Sequence, residues 1–418
     1  MKKRTAEAQR AQRAQSEEGE VIAYLRSPVA IRERCGELFG LVCGGKSEYF
    51  VCDLSRLGLV ADYVIGVMGL EYPDLQIPFH SRWRHFEGQG VGRLAKLDTL
   101  LAGLTPGERA AAKFDLAIVS VLLDAGAGNR WCYHEQETGL RLGRSEGLAV
   151  ASFQMFCAGA FGSDGLPKVD AQKLQALTES ELATGFGVSA ENPLVGMVGR
   201  WQLLQKLGEV LLACPQIFGD ENPRPGNLVN YLVGKSENGQ LAAATVLSAV
   251  LEGLSDIWPS RLQVAGVNLG DVWFHPDVSD DGLVPFHKLS QWLTYSLLEP
   301  LQELGLVITG LDVLTGLPEY RNGGLCLDLG LISVKNPEIL RSPHSVSSAF
   351  IVEWRALTVI LLDQIAASVR QKLGMSTEEL PLVKILQGGT WTAGRKIAAE
   401  LRTGGIPPIQ IESDGTVF

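Results

Sequence analysis

Lys288 and Glu319 are the two residues of this sequence whose types and settings best suit acid–base or electrostatic chemistry. Lys288 ends the run Pro-Phe-His-Lys at the predicted start of a helix, so it lies in the first helical turn. The helix dipole disfavours a cation at that end and should lower the pKa of the lysine. A snorkelling lysine on an exposed turn is the alternative. The same helix face carries an amphipathic set suited to lining a pocket: Gln291, Trp292 and Tyr295.

Glu319 lies in the segment 317–324, which reads Leu-Pro-Glu-Tyr-Arg-Asn-Gly-Gly. The glycine and proline content predicts an extended rather than a helical backbone, so Glu319 and Arg321 should point the same way. A neighbouring cation keeps a carboxylate ionised, which suits a base, a nucleophile or a stabiliser of positive charge. A purely structural ion pair is the alternative.

A basic and aromatic cluster occupies residues 77–86, where ten residues include two Arg, two His and three aromatic residues. Guanidinium groups bind phosphate in a bidentate way, and aromatic faces stack on planar groups. The cluster is therefore a candidate for binding a phosphorylated ligand, with a solvated basic loop as an equal alternative. Its candidate contacts are His80, Arg82, Trp83 and Arg84.

Two segments nearer the C-terminus also combine charge with aromatic groups. Glu353 and Arg355 flank a tryptophan on an apolar predicted helix. Positions two apart lie about 200° apart around a helix, so at most one of the two charges faces a given pocket. Buried charges need partners, so at least one of them should belong to an internal network. The run 388–395 predicts either a loop that permits close backbone approach or a helix cap, with Trp391 and Arg395 as its candidate contacts.

Helical periodicity dominates the sequence that must position these residues. Apolar residues recur at a 3.6-residue spacing in several segments, among them 350–365. Two stretches, 130–144 and 262–274, alternate in polarity around glycine-containing turns and predict short β-hairpins. We predict a mainly α fold, with a frayed or disordered polar tail at residues 1–19 and a single large helical domain at 20–418, for which a two-lobed arrangement is an option.

The composition limits the classes of protein and ligand. Of 418 residues, 46% are hydrophobic and 20% are charged, as in soluble globular proteins, and 47 acidic against 37 basic residues give a net charge of −10. An acidic chain is a poor match for a nucleic-acid polymer, which needs clustered Lys and Arg. A small phosphorylated ligand needs only a few local cations, so that class stays open.

Cysteine use and the N-terminal residues indicate a cytoplasmic protein. The seven cysteines form no CxxC pair, and the opening Met-Lys-Lys-Arg run leads into no apolar signal stretch. The most apolar segment, 349–369, is interrupted by Glu353, Arg355 and Asp363, so no membrane span is predicted. Because the sequence has no HExxH motif and no Cys/His quartet, we predict neither a metal nor a cofactor.

Residues 40–47, Gly-Leu-Val-Cys-Gly-Gly-Lys-Ser, match the GxxxxGK[ST] phosphate-loop pattern. A phosphate loop needs a β-strand before it and a helix starting at its lysine. The preceding residues 30–39 form a predicted amphipathic helix instead, so we interpret the glycines as the end of that helix. A nucleotide hydrolase of the phosphate-loop type is the last alternative.

Over residues 27–418 the sequence resembles the uracil catabolism protein 4 family. The resemblance implies a role in a route of uracil degradation that passes through ribosylated intermediates. The blocks that carry it are 77–86, Phe114–Gly128, Arg144–Ser152, Asn192–Gly196, Val284–Trp292, Leu314–Leu325, Val352–Leu357 and Ser413–Phe418.

The order of these blocks also resembles, more distantly, the queuosine 5′-phosphate N-glycosylase family. Those helical proteins are related in fold to helix-hairpin-helix DNA glycosylases. They carry a catalytic lysine in an aromatic-rich stretch and a catalytic carboxylate in a later Asp-Tyr-Arg block. The matching positions here are Lys288 and Glu319, the latter followed by Tyr320 and Arg321. Glutamate stands where that family has aspartate and is one methylene longer, so Asp312 and Asp124 are alternative carboxylates.

Together the resemblances imply an enzyme that hydrolyses the N-glycosidic bond of a ribosylurea-type or other uridine-derived ribonucleotide. Glu319 would stabilise the oxocarbenium-like state, and Lys288 would serve the leaving group or a sugar oxygen. The phosphate would be bound by Arg82 with Arg84, or by Arg321. The other candidate contacts of this small phosphorylated riboside are His80, Trp83, Asp124, His287, Asp312, Tyr320, Glu353, Arg355, Trp391 and Arg395.

Two alternatives to the N-glycosidase stay open, and the sequence leaves the oligomeric state unknown. One is a hydrolase that attacks the amide or urea carbonyl of a ring-opened pyrimidine, which would need an activated nucleophile or a metal. The other is a non-catalytic binding protein of the same pathway, whose charges only hold a ligand.

Overall fold

The computed structural model describes residues 17–124, 126–128, 130–258 and 262–412, and helices dominate these ranges taken together. The prediction of a mainly α fold is thereby confirmed. Residues 17–19 of the predicted polar tail are helical, whereas residues 1–16 and the block Ser413–Phe418 lie outside the described residues. None of the helices in these ranges is both long and apolar enough to cross a membrane.

The helices vary from single turns to a helix of 25 residues. In chain order they are α1 (residues 17–25), α2 (Pro28–Cys43), α3 (Leu57–Glu71), α4 (Trp83–Phe86), α5 (Arg93–Leu100), α6 (Pro106–Leu122), α7 (Arg144–Cys157), α8 (Ala171–Ala176), α9 (Glu179–Gly185), α10 (Met197–Ala213), α11 (Pro215–Phe218), α12 (Leu228–Gly234), α13 (Ala243–Leu254), α14 (Lys288–Glu303), α15 (Tyr320–Asp328), α16 (Ala349–Leu373), α17 (Leu382–Ile385) and α18 (Trp391–Leu401).

The strands of the described ranges are two or three residues long and form only two-stranded pairs. The antiparallel pairs are β1 (Phe50–Cys52) with β10 (Ile332–Val334), β2 (Cys132–His134) with β3 (Arg141–Gly143), β5 (Gln263–Val264) with β6 (Val267–Asn268), and β7 (Val272–Phe274) with β8 (Leu283–Pro285). The parallel pairs are β4 (Gln240–Ala242) with β9 (Val307–Thr309), and β11 (His344–Ser345) with β12 (Ile411–Glu412).

Both predicted hairpins exist, and the second is shorter than predicted. β2 and β3 pair within 130–144, which confirms the first. β5 and β6 meet around Ala265 and Gly266, whose φ angles of 50° and 77° suit a tight two-residue turn. The last residues of the predicted hairpin 262–274 form β7, which pairs with β8 instead. That pairing leads directly into α14.

α16 is the longest helix of the described ranges and a main component of the core. It packs against α2, α3 and α15, and its apolar residues at helical spacing are buried. The side chain of Ser348 accepts the N–H of Ile351 at one end, and Gly374 ends the helix with a φ of 66°. α14 packs against α6 and α13, while α15 packs against α18. The first residue of α14, Lys288, and the residue before α15, Glu319, line the same cavity.

The prediction that residues 317–324 are not helical is wrong from Tyr320 onward. α15 begins there because the side chain of Glu319 accepts two backbone N–H groups and caps the helix. The glycines serve close packing: a Cβ on Gly323 would lie 2.7 Å from a ring carbon of Trp354. The low helix propensity of glycine predicts a break here, whereas the close packing of α15 on Trp354 requires glycine within the helix.

Residues 388–395 form neither a loop nor a helix cap. A π-helical turn at Leu386–Thr390 continues directly into α18. The predicted close backbone approach does occur, because a Cβ on Gly394 would lie 2.2 Å from the carbonyl oxygen of Arg321. Glycine at this position therefore lets α15 and α18 pack closely.

The phosphate-loop match at residues 40–47 is the end of a helix, as predicted. α2 continues through Gly40 to Cys43, and the backbone N–H of Gly44 donates to carbonyl oxygens of the last turn. Ser47 is buried, and its hydroxyl donates to the carboxylate of Glu353. The serine of the pattern is thus engaged inside the protein core.

Candidate active site

A cavity of about 270 Å³ opens where α7, α14, α15 and α18 begin, close to the end of α6. Its volume is near the lower limit of about 300 Å³ typical of small-molecule sites. Of the predicted residues it gathers His80, Asp124, Lys288, Glu319, Tyr320, Arg321 and Trp391. The remaining lining residues are His85, Gly126, Ala127, Gly128, Arg144, Ser145, Trp292, Leu317, Gly405, Ile406 and Pro407.

Lys288 is the first residue of α14, as predicted, and its side chain lines the cavity. Its Nζ lies 5.9 Å from the ring centroid of Trp292, and no carboxylate of the described residues comes within ion-pair distance of it. Burial lowers the pKa of Lys288, and the charges of Glu319 and Asp124 act in the opposite direction. The amine is therefore directed at the cavity rather than committed to a protein partner.

His287, the residue before Lys288, points away from the cavity. It adopts a left-handed conformation with a φ of 49°, and its Nε2 lies 2.8 Å from the carbonyl oxygen of Leu25. Because His287 provides no side-chain cap, another residue must satisfy the first N–H group of α14.

Asp271, just before β7, supplies that cap. Its Oδ2 accepts the backbone N–H of Lys288 at 2.9 Å, and both of its oxygens accept the Arg355 guanidinium at 2.8 Å. Burial opposes the ionisation of Asp271, but the Arg355 charge and the hydrogen bonds from Arg355, Trp273 and the Lys288 backbone together hold the pKa of this carboxyl well below its usual range. Asp271 was not among the predicted residues, because it has no local motif and lies 84 positions from its arginine.

Replacing Asp271 by alanine is expected to destabilise the protein by about 3 kcal/mol or more. The change removes the bidentate partner of a buried guanidinium together with the cap of α14. Chemical unfolding followed by circular dichroism measures the effect as a lower midpoint. The matched control is Asp62→Ala, whose surface pair with Lys372 should contribute less than about 1 kcal/mol. Equal midpoints for the two variants would contradict the role given to Asp271.

Glu319 is buried at the cavity wall and fixed by backbone hydrogen bonds. Its Oε2 accepts the N–H of Arg321 at 2.8 Å, and its Oε1 accepts the N–H of Asn322 at 2.7 Å. Burial raises the pKa of Glu319, whereas these hydrogen bonds and the charge of Lys288 lower it. The result is a carboxylate held rigidly in the same cavity as a lysine.

Glu319 and Arg321 do not form the predicted side-chain pair; the Glu319 carboxylate accepts the backbone N–H of Arg321 instead. Because Arg321 lies in the first turn of a helix, its guanidinium leaves the carboxylate and donates to the carbonyl oxygen of Gly405 at 3.0 Å. The same guanidinium lies 4.9 Å from the ring centroid of Tyr320. Both residues line the cavity, so Arg321 stays a candidate for phosphate binding.

A hydrogen-bond network holds the helix of Lys288 against the segment that leads to Glu319. The amide of Gln291 exchanges two hydrogen bonds with Thr315, of 2.6 and 2.8 Å, and the hydroxyl of Tyr295 donates to the Thr315 carbonyl at 3.0 Å. All three side chains are fully buried. The two candidate catalytic groups are therefore positioned by rigid core elements.

The basic cluster at 77–86 is mostly committed to internal partners. Arg82 is completely buried, and its Nη1 lies 3.1 Å from Oδ2 of Asp124. Arg84 pairs with Glu299 at 2.6 Å, and the indole of Trp83 donates to the Ser296 carbonyl. None of these three side chains lines the cavity.

The two histidines of this cluster line the cavity together with tryptophan rings. His85 is in edge contact with Trp292 and Trp391, at centroid distances of 5.6 and 6.0 Å, and His80 lies 5.6 Å from Trp391. Burial lowers the pKa of both His80 and His85 to about 4, so both imidazoles are neutral at neutral pH. Trp292 lines the cavity as predicted for its helix face, whereas Gln291 and Tyr295 of the same set do not. His85 was not among the predicted contacts, although it lies in the basic and aromatic cluster at 77–86.

The remaining predicted residues lie outside the cavity. Asp312 pairs with Arg370 at 2.9 Å and accepts the N–H of Leu382. Arg395 lies 5.0 Å from the Trp391 ring centroid and pairs with Glu146 on the surface. Neither residue contributes to the cavity wall.

Glu353 and Arg355 have different surroundings, as their spacing predicts. Arg355 supports the cavity through Asp271, and its Nε contacts the carbonyl of Pro318, next to Glu319. Glu353 accepts the Ser47 hydroxyl, with Nε2 of His275 at 3.7 Å from its other oxygen. The predicted internal network therefore exists on the Arg355 side.

Glu353→Gln is expected to flatten the pH dependence of stability. Burial raises the pKa of Glu353 to about 7, while the Ser47 hydrogen bond lowers it. Between about pH 4.5 and 7 the unfolded chain releases this proton and the folded protein keeps it, so stability falls as pH rises. The variant should recover up to about 3 kcal/mol at pH 8. Unfolding midpoints at pH 5 and pH 8 test this, with the exposed Glu338→Gln as control; parallel pH profiles would count against it.

Comparison with known proteins places the chain in a family. A family profile described as "Protein of unknown function (DUF1688)" matches residues 24–418. The protein called uracil catabolism protein 4 from Lachancea kluyveri is 38% identical over 441 residues, covering 95% of this chain and 99% of that protein. Protein urg3 of Schizosaccharomyces pombe is 40% identical over 411 residues, covering 96% and 99%. The resemblance to the uracil catabolism protein 4 family is thereby confirmed, and the chain belongs to the family described as DUF1688.

Proposed function

We propose that this protein acts in uracil catabolism as an N-glycosidase. Its substrate would be a ribosylurea-type or other uridine-derived ribonucleotide, and the bond broken would join the ribosyl carbon to nitrogen. The pathway rests on the name of a relative that is 38% identical over nearly its whole length. The reaction rests on one observation: Lys288 and Glu319 share a single cavity, where hydrogen bonds hold the Glu319 carboxylate and the backbone of Lys288.

Glu319 has the properties that glycoside cleavage requires. Breaking the C–N bond passes through an oxocarbenium-like state, which an adjacent ionised carboxylate stabilises while it positions water or attacks directly. The backbone N–H groups of Arg321 and Asn322 hold both oxygens of Glu319, so the carboxylate needs little reorganisation. Water adds to the ribosyl carbon, and its proton goes to the departing nitrogen.

Lys288 is the group best suited to the leaving side. A protonated amine donates a hydrogen bond to the departing urea-like nitrogen or to a sugar oxygen. The reaction needs Glu319 ionised and Lys288 protonated at the same time. Because burial raises the pKa of Glu319 and lowers that of Lys288, both limbs of the pH profile should move inward from their ordinary positions.

The pocket cations that remain for a 5′-phosphate are Arg321 and Arg144. Both line the cavity, and Arg144 is exposed at the first position of α7. Arg82 and Arg84 already neutralise Asp124 and Glu299, which makes them poorer candidates for a phosphate. Two local cations are enough for a single phosphate, which fits an otherwise acidic chain.

The test is product analysis with the purified protein and a panel of candidate ribosides, including the 5′-phosphate of ribosylurea. Release of ribose 5-phosphate together with free urea supports the N-glycosidase. Release of ammonia with the ribosyl–nitrogen bond intact would favour a hydrolase acting on the carbonyl. Tight binding without turnover across the panel would leave a binding protein as the better description.

A further inference from the structure

A second carboxylate, that of Asp124, lines the same cavity, and only one of its two oxygens has a partner among the described residues. Its Oδ2 lies 3.1 Å from Nη1 of Arg82. Its Oδ1 is buried and has no hydrogen-bond partner among the described residues. A buried carboxylate oxygen without a partner is costly, and its position in a cavity wall indicates that a ligand supplies the missing donor.

Arg82 pairs with this carboxylate and fixes it in place. The guanidinium is completely buried and donates through Nε to the Ser120 hydroxyl at 2.8 Å. It also lies 5.5 Å from the ring centroid of Trp292. A buried ion pair of this kind adds little net stability, because desolvation of the charges offsets their attraction. Preorganisation of Asp124 for a ligand is a physical reason to keep the pair.

An ionised carboxylate only accepts hydrogen bonds, which restricts the ligand group it can bind. A phosphate is excluded by charge, and the partner must be a hydroxyl or an N–H group. Asp124 is near enough to Lys288 for its charge to raise the pKa of that amine. Asp124 also lines the same cavity as Lys288 and Glu319. In a riboside, the hydroxyl nearest to the reacting anomeric carbon is the neighbouring 2′-hydroxyl.

We infer that Asp124 binds the ribose 2′-hydroxyl of the substrate and makes the pocket selective for ribosides over 2′-deoxyribosides. The inference rests on the proposed function, because it takes the substrate to be a riboside. In glycoside cleavage, hydrogen bonds to this hydroxyl strengthen in the transition state. Asp124 therefore contributes to kcat as well as to binding.

The kinetic test crosses one enzyme change with one substrate change. Wild-type protein and Asp124→Asn are each assayed with the riboside and its 2′-deoxy analogue. Removing the carboxylate should lower the ribo-to-deoxy ratio of kcat/KM by about 10- to 100-fold. The matched control is Asp115→Asn. Asp115 lies on α6, is buried and pairs with Arg224, so its replacement should leave the ratio unchanged. An unchanged ratio in Asp124→Asn would overturn the inference.

Two further arms keep the test decisive. If Asp124→Asn is poorly folded, the double variant Arg82→Gln with Asp124→Asn removes both charges and should show the same loss of selectivity. Calorimetric titration with ribose 5-phosphate and 2-deoxyribose 5-phosphate measures the preference without turnover. A wild-type preference that Asp124→Asn loses supports the inference even if no riboside is cleaved, which would count only against the proposed reaction. A third comparison uses a substrate methylated on the ureido nitrogen. If Asp124→Asn changes the discrimination against this methylated substrate and leaves the ribo-to-deoxy ratio unchanged, Asp124 binds an N–H group and the hydroxyl assignment is overturned.

Discussion

Glu319→Gln is expected to lower kcat by about 10³-fold while leaving the protein folded. Glutamine keeps the size of the side chain and one oxygen that can accept a backbone N–H group, so α15 retains one of its two capping hydrogen bonds. It has no negative charge with which to stabilise an oxocarbenium-like state. The loss should therefore appear in kcat and kcat/KM alike, since the interaction develops in the transition state. Initial rates of ribose 5-phosphate release measure it.

A control separates this catalytic loss from the loss of a helix cap. Glu135 is also buried and hydrogen-bonded, to Arg93 at 2.6 Å, but it lies outside the cavity. Glu135→Gln should lower the unfolding midpoint and leave kcat within a factor of about two. If Glu319→Gln behaves in the same way, with reduced stability and near-normal kcat, then Glu319 serves only as a cap.

Lys288→Met is expected to lower kcat by about 10²-fold and to move the acid limb of the pH profile upward. The charge of Lys288 lowers the pKa of Glu319, so its removal lets that pKa rise. The ionised carboxylate then needs a higher pH, and activity falls off earlier as the solution is acidified. A full profile of kcat against pH, with the riboside saturating, measures both effects.

The comparison variant for this lysine is Lys113→Met. Lys113 is similarly half-buried, on α6, but it pairs with Asp98 and Glu303 away from the cavity. Its replacement should change neither kcat nor the position of the acid limb. An acid limb that stays in place in Lys288→Met would show that the lysine and Glu319 are not electrostatically coupled, and it would remove the lysine from the proposed mechanism.

Local sequence signals were sufficient for several helices, one hairpin and the position of the lysine. The helix end at Gly44 and the hairpin formed by β2 and β3 follow from glycine placement and residue periodicity, which act over a few residues. The location of Lys288 at the start of α14 follows for the same reason.

The long-range partners were not predictable from these signals. Arg82 lies in a basic and aromatic segment that is typical of phosphate binding. Its actual partner is Asp124, which is 42 positions away and is brought close only by the fold. Asp271 caps α14 from 17 positions before it and pairs with Arg355 84 positions further on, and it has no motif of its own. The helix at Tyr320 was missed because a tertiary contact at Gly323 and a side-chain cap outweigh local propensity.

The rim of the cavity has a consequence for how the protein is made. Residues 405–407 line the cavity, and the carbonyl of Gly405 holds the guanidinium of Arg321. The other walls begin as early as His80, so the pocket combines residues from most of the chain. During synthesis from the N-terminus, Lys288 and Glu319 are present well before the rim that encloses them. A chain terminated or cleaved before Gly405 would therefore keep both candidate catalytic groups and lack the wall that completes the pocket.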